Sequence, residues 1–186
     1  MALTLLMARH GQTDLNTDER WQGRLDVPLN ATGLAQAEQL ALALPGGIDA
    51  LVVSPMQRAR QTAEPVVRAR GLVPRFDADF RERDFGIFEG LTAAEAALQF
   101  PELAARNVAY RWDEAPPGAE ATRAVVERVE RGLQQLRAQH DGQTVLLVSH
   151  GFVVRCLRYL LDGLSDDAFF AAERIPNGAF LTRELP

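Results

Sequence analysis

Two short apolar runs, one from Leu3 to Ala8 and one from Thr144 to Val148, each stop at a histidine followed by glycine: Ala8-Arg9-His10-Gly11 and Val148-Ser149-His150-Gly151. Runs this short, apolar throughout and closed by a turn-permitting glycine predict buried strands rather than helices. The chain holds only three histidines. Two of them therefore share one structural address, the carboxyl end of a buried strand, which is where an open α/β sheet binds its ligands. The third, His140, lies between a helical segment and a turn with no such motif around it, and is assigned no role.

The remaining pattern is consistent with such a sheet. After a polar loop from Gln12 to Asn30, Leu34, Ala37, Ala41 and Leu44 keep a helical period, with Thr32 as candidate cap and Pro45-Gly46-Gly47 as terminator. Ala50 to Val53 reads as a second buried strand. Ser54-Pro55-Met56-Gln57 reads as the start of a helix, with Ser54 as N-cap, Pro55 at the first position and Gln57 completing a capping box. That places Arg58 in the first turn, where backbone amides favour anions. Gly71 closes this helix, and Val73 to Phe76 is a third, weaker strand.

From about 78 to 118 the periodicity changes. Arg81 to Gly90 mixes charge, aromatic residues and glycine, Thr92 with Glu95 reads as a capping box, and two short helices are predicted to break at Phe100-Pro101. So long an excursion between core elements predicts a cap over the sheet within one domain spanning 1–186. Val126, Val129, Leu133 and Leu136 mark a long amphipathic helix from about Ala119 to Gln139. An apolar helix follows His150 as far as Leu161, and Ala179 to Thr182 reads as an edge strand. The expected fold is α/β with three layers: a mostly parallel sheet, helices on both faces, and a helical cap over the carboxyl ends of the strands.

Composition limits the chemistry. The net charge is −5, which argues against a broadly basic nucleic-acid surface, so an anionic ligand must be held by a local cluster of cations. All 20 basic residues are arginine. Anions are therefore gripped by planar forks, and Schiff-base or P-loop chemistry, which needs lysine, is excluded. The single Cys156 allows neither an intramolecular disulfide nor a multi-cysteine metal centre. No apolar run approaches the length of a membrane span, and no basic leader precedes the first apolar run, so the expected location is cytoplasmic. A metal held by the two histidines is disfavoured, because arginine, serine and glycine surround them where zinc would want further ligands and carboxylates.

These residues together resemble the histidine phosphatase superfamily, also called phosphoglycerate mutase-like. The resemblance is carried by Arg9-His10-Gly11-Gln12-Thr13, Asn16, Gln22-Gly23, Asp26, Pro28-Leu29, Ser54-Pro55 and Arg58-Ala59-Arg60-Gln61-Thr62-Ala63. It continues through Glu82, Asp84-Phe85-Gly86, Glu89-Gly90, Pro117-Gly118 and Ser149-His150-Gly151. It implies that His10 is a nucleophile forming a phosphohistidine and that Glu82 is the general acid and base. Arg9, Arg58 and His150 would bind the phosphoryl group, and Gly11, Asn16, Gln22, Gly23 and Gly151 would surround the ester. No metal and no cofactor are implied. Glu82 has an alternative as an ion-pair partner of Arg81 or Arg83; Glu89 is second choice for the acid, with Glu89-Gly90 read chiefly as shaping the loop.

The pattern around Glu82 is similar to the small phosphatase branch, with its α-ribazole phosphatase and broad-specificity acid phosphatase types. The compact chain and the lack of a tandem arginine pair in the cap, where Arg106 and Arg111 stand apart, point the same way. The expectation is a metal-independent phosphomonoester hydrolase acting on a small phosphorylated metabolite. A cofactor-dependent phosphoglycerate mutase and an inactive ester-binding protein are the alternatives. Phe152, where a small residue is common, and Ala121, in place of a usual serine, depart from the family pattern. The edge strand leaves room for a homodimer.

Overall fold

The computed structural model describes residues 2–185. Five strands, β1 (Leu3–Arg9), β2 (Ala50–Val53), β3 (Pro74–Phe76), β4 (Thr144–Ser149) and β5 (Phe180–Leu185), form one sheet in the order β3-β2-β4-β1-β5. All pairings are parallel except that of β5, which runs antiparallel along β1. Around the sheet lie α1 (Asp14–Thr17), α2 (Ala31–Ala43), α3 (Gln57–Arg70), α4 (Ala93–Gln99), α5 (Pro101–Ala105), α6 (Thr122–Gln139), α7 (Gly151–Asp162) and α8 (Asp166–Ala171).

The alternation of side chains along a strand divides the core in two. Leu3, Leu5 and Met7 of β1, with Val145 and Leu147 of β4, face α6 and α7 and meet Val125, Val129, Leu133, Leu136 and Leu157. Leu6, Ala8, Leu146 and Val148 face the other way, onto Leu40 of α2 and Ala59, Ala63 and Val66 of α3. The inner strands β2, β4 and β1 are apolar on both faces because helices cover both. Cys156 is buried in the first of these clusters, and burial pushes its thiol well above the ordinary range. It is a packing residue and not a reactive one.

Between β3 and α6 the chain builds a third, smaller apolar cluster. Phe88, Ala96, Val108 and Ala109 are its buried centre, with Trp21, Phe85, Phe100 and Leu103 packed against it. Thr92 and Glu95 make their capping box at α4, and α5 opens on Pro101. Among the described residues no helix is long and apolar enough to cross a membrane.

Several boundaries differ from those read in the sequence, each for a local reason. The N-cap of α2 is Asn30, whose side chain accepts from Gly33 N–H, and not Thr32. Helix α3 starts at Gln57; Ser54 and Pro55 stay outside it, and Asp26 Oδ1 of the preceding loop accepts from Gln57 N–H at 2.7 Å. Helix α6 starts at Thr122 and not Ala119, because Ala119 is held in a bridge to Phe85. The four-residue α1 and six-residue α8, capped by Thr13 and Ser165, are too short to show a helical period in the sequence.

Candidate active site

The parallel pairing of β1 with β4 ends with Arg9 opposite Ser149, and His10 N–H donates to Ser149 O at 2.9 Å. The two histidines that follow are thereby set side by side, their ring centroids 5.2 Å apart and edge to face. This is the physical content of the repeated His-Gly ending. Both rings are buried, His10 at 3 % exposure and His150 at 0 %.

His10 Nδ1 lies 2.7 Å from Gly11 O. A carbonyl only accepts, so Nδ1 carries the proton and Nε2 is left with its lone pair. Burial first, then the charges of Arg58 and Arg9, hold the imidazole well below the ordinary histidine pKa. His10 is therefore neutral at pH 7. His150 is kept neutral by the same causes, burial and then Arg58. Its Nε2 meets Ser54 Oγ at 2.7 Å, while Nδ1 is buried without a protein partner. The hydroxyl expected to cap α3 is spent on this contact.

A cleft opens over His10, lined also by Arg9, Asn16, Gln22, Glu82 and Gly151. Arg58 lies fully buried, not solvated; its Nη1 and Nη2 donate to Leu25 O and Gly23 O. Arg9 Nε, Arg58 Nε and Gln22 Nε2 are buried with no protein partner, as His150 Nδ1 is. Four nitrogen atoms from four segments of the chain thus remain uncommitted around one imidazole, and two belong to cations. Such a set is costly to bury and suited to an anion. Asn177 Nδ2 braces it, donating to His10 O and Asn16 Oδ1, both at 3.0 Å.

Glu82 faces the same cleft. Its oxygens accept from Arg83 N–H at 3.0 Å and Phe152 N–H at 3.3 Å. The alternative ion pair with Arg81 or Arg83 is not made. Arg81 donates to Ala78 O, and the buried Arg83 guanidinium to Glu120 O and Ala109 O. Burial, outweighing Arg58 and the two amides, holds the Glu82 carboxyl above the usual carboxylate range. Glu89 is committed to backbone contacts. Its carboxylate accepts from the N–H groups of Arg24, Leu25 and Phe85 and ties the loops together.

Two glycines expected around the ester serve packing. Gly11 N–H donates to Thr62 Oγ1 and is not free for a ligand, and a Cβ there would stand 2.4 Å from Gly33 O. At Gly23 a Cβ would meet Glu89 Oε1 and Arg83 O at about 2.1 and 2.2 Å. Gly151 does line the cleft, and a Cβ there meets only Arg9 at 3.4 Å. Replacing Gly11 by alanine is expected to cost about 1–3 kcal/mol through this overpacking, read as a lower urea midpoint at unchanged m-value, whereas Gly151→Ala should leave the midpoint near wild type.

The structure also gives site roles to residues to which the sequence assigned none there. Ser54, Thr62 and Asn177 position the reacting groups, and Arg20, Trp21, Phe85, Arg155 and Arg174 complete the lining. Ser54 reads in the sequence as a helix cap, and Asn177-Gly178 as a turn.

The chain belongs to the histidine phosphatase superfamily (branch 1), whose family model matches residues 5–182. It is 44% identical over 165 residues to the bifunctional protein Rv2228c of Mycobacterium tuberculosis, covering 85% of this chain but only 44% of that protein. It therefore spans less than half the length of that relative. It is 34% identical over 157 residues to phosphoglycerate mutase-like protein 4 of Arabidopsis thaliana, covering 82% of this chain and 68% of the relative. Among solved structures, mycobacterial glucosyl-3-phosphoglycerate phosphatase in complex with VO3 superposes with a TM-score of 0.87 at 32% identity, covering 96% of this chain and 91% of that one.

Proposed function

We propose that this chain is a metal-independent phosphomonoester hydrolase working through a phosphohistidine on His10. The observation that carries the reading is the state of His10: neutral, its Nδ1 proton fixed on Gly11 O, its Nε2 free, in a ring of uncommitted donors. The likeness to a phosphatase structure supports it.

In the first step His10 Nε2 attacks phosphorus and the bond to the ester oxygen breaks. Glu82, its proton held by the raised pKa, protonates the departing oxygen. Charge on the three transferring oxygens is met by Arg9, Arg58, Gln22 and the Nδ1 proton that His150 bears when Ser54 O–H donates to its Nε2. In the second step water attacks the phosphohistidine, the now ionised Glu82 takes its proton, the N–P bond breaks and phosphate leaves. His10 and Glu82 return to their starting states.

The test is a panel of phosphomonoesters assayed with a chelator present, including 3-phosphoglycerate with and without 2,3-bisphosphoglycerate. Net phosphate release insensitive to the chelator is expected. Isomerisation of 3-phosphoglycerate stimulated by the bisphosphate, without net phosphate release, would instead make the chain a mutase. Ser54→Ala tests the assignment at His150: losing the oriented donor should lower kcat about ten- to hundredfold with a smaller change in KM. An unchanged kcat would remove Ser54 from the mechanism.

A further inference from the structure

The cleft extends beyond the groups that act on the phosphoryl unit. Towards α7 and the stretch joining α8 to β5 it is lined by Arg155 and Arg174, with Trp21, Phe85 and Phe152 also in its wall. A neighbouring depression shares Arg9, Asn16, Arg20, Trp21 and Arg174 with it and adds Glu19 and Tyr110, so there is room past Arg174 for a leaving group.

Neither Arg155 nor Arg174 has a carboxylate partner among the described residues. Glu82, in the same cleft, acts on Arg155 through its charge without forming an ion pair with it, and Glu19 lines the neighbouring depression with Arg174; Glu95 and Asp162 are engaged with Arg20 and with Arg158 and Arg183. Arg155 is only 7 % exposed; it donates once, to Ala172 O, and its buried Nε has no partner. Its guanidinium lies 6.0 and 5.8 Å from the ring centroids of Phe152 and Phe169. Arg174 is exposed, yet close enough that its charge bears on both Arg155 and Arg9. A buried arginine without a carboxylate is costly, and a like charge beside it adds to the cost. An anion between the two would relieve both. The cap arginines do not offer this: Arg106 is paired with Glu114, and Arg111 donates to Arg106 O.

We infer that the substrate carries a second anionic group on its leaving portion, a carboxylate or a second phosphate, and that Arg155 and Arg174 bind it while the transferred phosphoryl group sits at His10. This rests on the hydrolase reading above. Phe152, where a small residue would be usual, stands in the wall beside Arg155, its ring centroid 6.0 Å from the Arg155 guanidinium and 5.0 Å from that of Arg83. A leaving group with no charge of its own leaves the two arginines unmatched.

The test compares matched esters that differ in one anionic group: 3-phosphoglycerate with glycerol 3-phosphate, 4-carboxyphenyl phosphate with phenyl phosphate, and fructose 1,6-bisphosphate with fructose 1-phosphate. Binding is measured by calorimetry on His10→Ala protein, and kcat/KM on the wild type. The charged member of at least one pair should be favoured about tenfold or more, the scale of a charge-assisted contact. The first two pairs report a carboxylate and the third a phosphate. In Arg174→Glu, at an exposed position where folding is not at stake, the preference should vanish or invert, and Arg155→Gln should reduce it. No preference in any pair, or one that survives Arg174→Glu, would overturn the inference. Equal phosphate release from both members would reject the subsite and uphold the hydrolase. A binding preference without any turnover in the wild type would do the reverse.

Discussion

Replacing His10 by alanine is expected to reduce phosphomonoester hydrolysis by roughly 10⁴-fold or more, the scale seen when a covalent nucleophile is removed. The reason is specific to this site. Among the described residues lining the cleft His10 is the imidazole with a free basic nitrogen: His150 has its Nε2 on Ser54, the arginines stay protonated, and amide oxygens are poor nucleophiles. Binding should survive, because the donors of Arg9, Arg58 and Gln22 do not depend on the imidazole. Phosphate-ester binding by calorimetry with turnover lost would match. Turnover within tenfold of wild type would exclude His10 as nucleophile.

Glu82→Gln is expected to be almost as severe, but only for some substrates. An alkyl ester needs its leaving oxygen protonated, so kcat/KM should fall about 10²–10⁴-fold. Nitrophenolate leaves without a proton, so p-nitrophenyl phosphate should still phosphorylate the enzyme. Dephosphorylation, deprived of its base, then becomes limiting, and nitrophenol should appear as a burst of one equivalent followed by a slow phase. The pH profile follows from the same groups. A carboxyl raised above its usual range must be protonated for alkyl esters, so kcat/KM falls as pH rises through its pKa. His10, lowered well below 6.5, limits only the acid side. The wild-type profile for alkyl esters should thus fall on its alkaline side, and that limb should be absent in Glu82→Gln. Loss by the same factor for both ester types would contradict an acid role.

The sheet and the pairing of the two histidines are legible in the sequence because strands covered on both faces must be apolar throughout. Leu3–Arg9 and Thr144–Ser149 can hardly be placed otherwise. The reacting residues are legible through motif, and their state is not. That Glu82 is free of Arg81 and Arg83 depends on where two arginine side chains end, and three backbone carbonyls settle that. Ser54 illustrates a conflict between local and tertiary demands. Ser-Pro is a good local start for a helix, yet the hydroxyl is worth more against His150, and Asp26 takes over at Gln57 N–H. Gly11 and Gly23 are needed for close backbone and side-chain approach, which no local pattern reveals. Arg155 and Arg174 are two among 20 arginines, and only the fold separates them from those that meet an acid.

Locating the phosphate during turnover bears most sharply on the role of His10. Enzyme mixed with a labelled phosphomonoester, quenched within milliseconds and digested under mildly alkaline conditions, should carry acid-labile, alkali-stable label on the peptide containing His10, and none in His10→Ala. Hydrolysis proceeding at the full rate with no labelled peptide, or with the label on another residue, would contradict a phosphohistidine at His10.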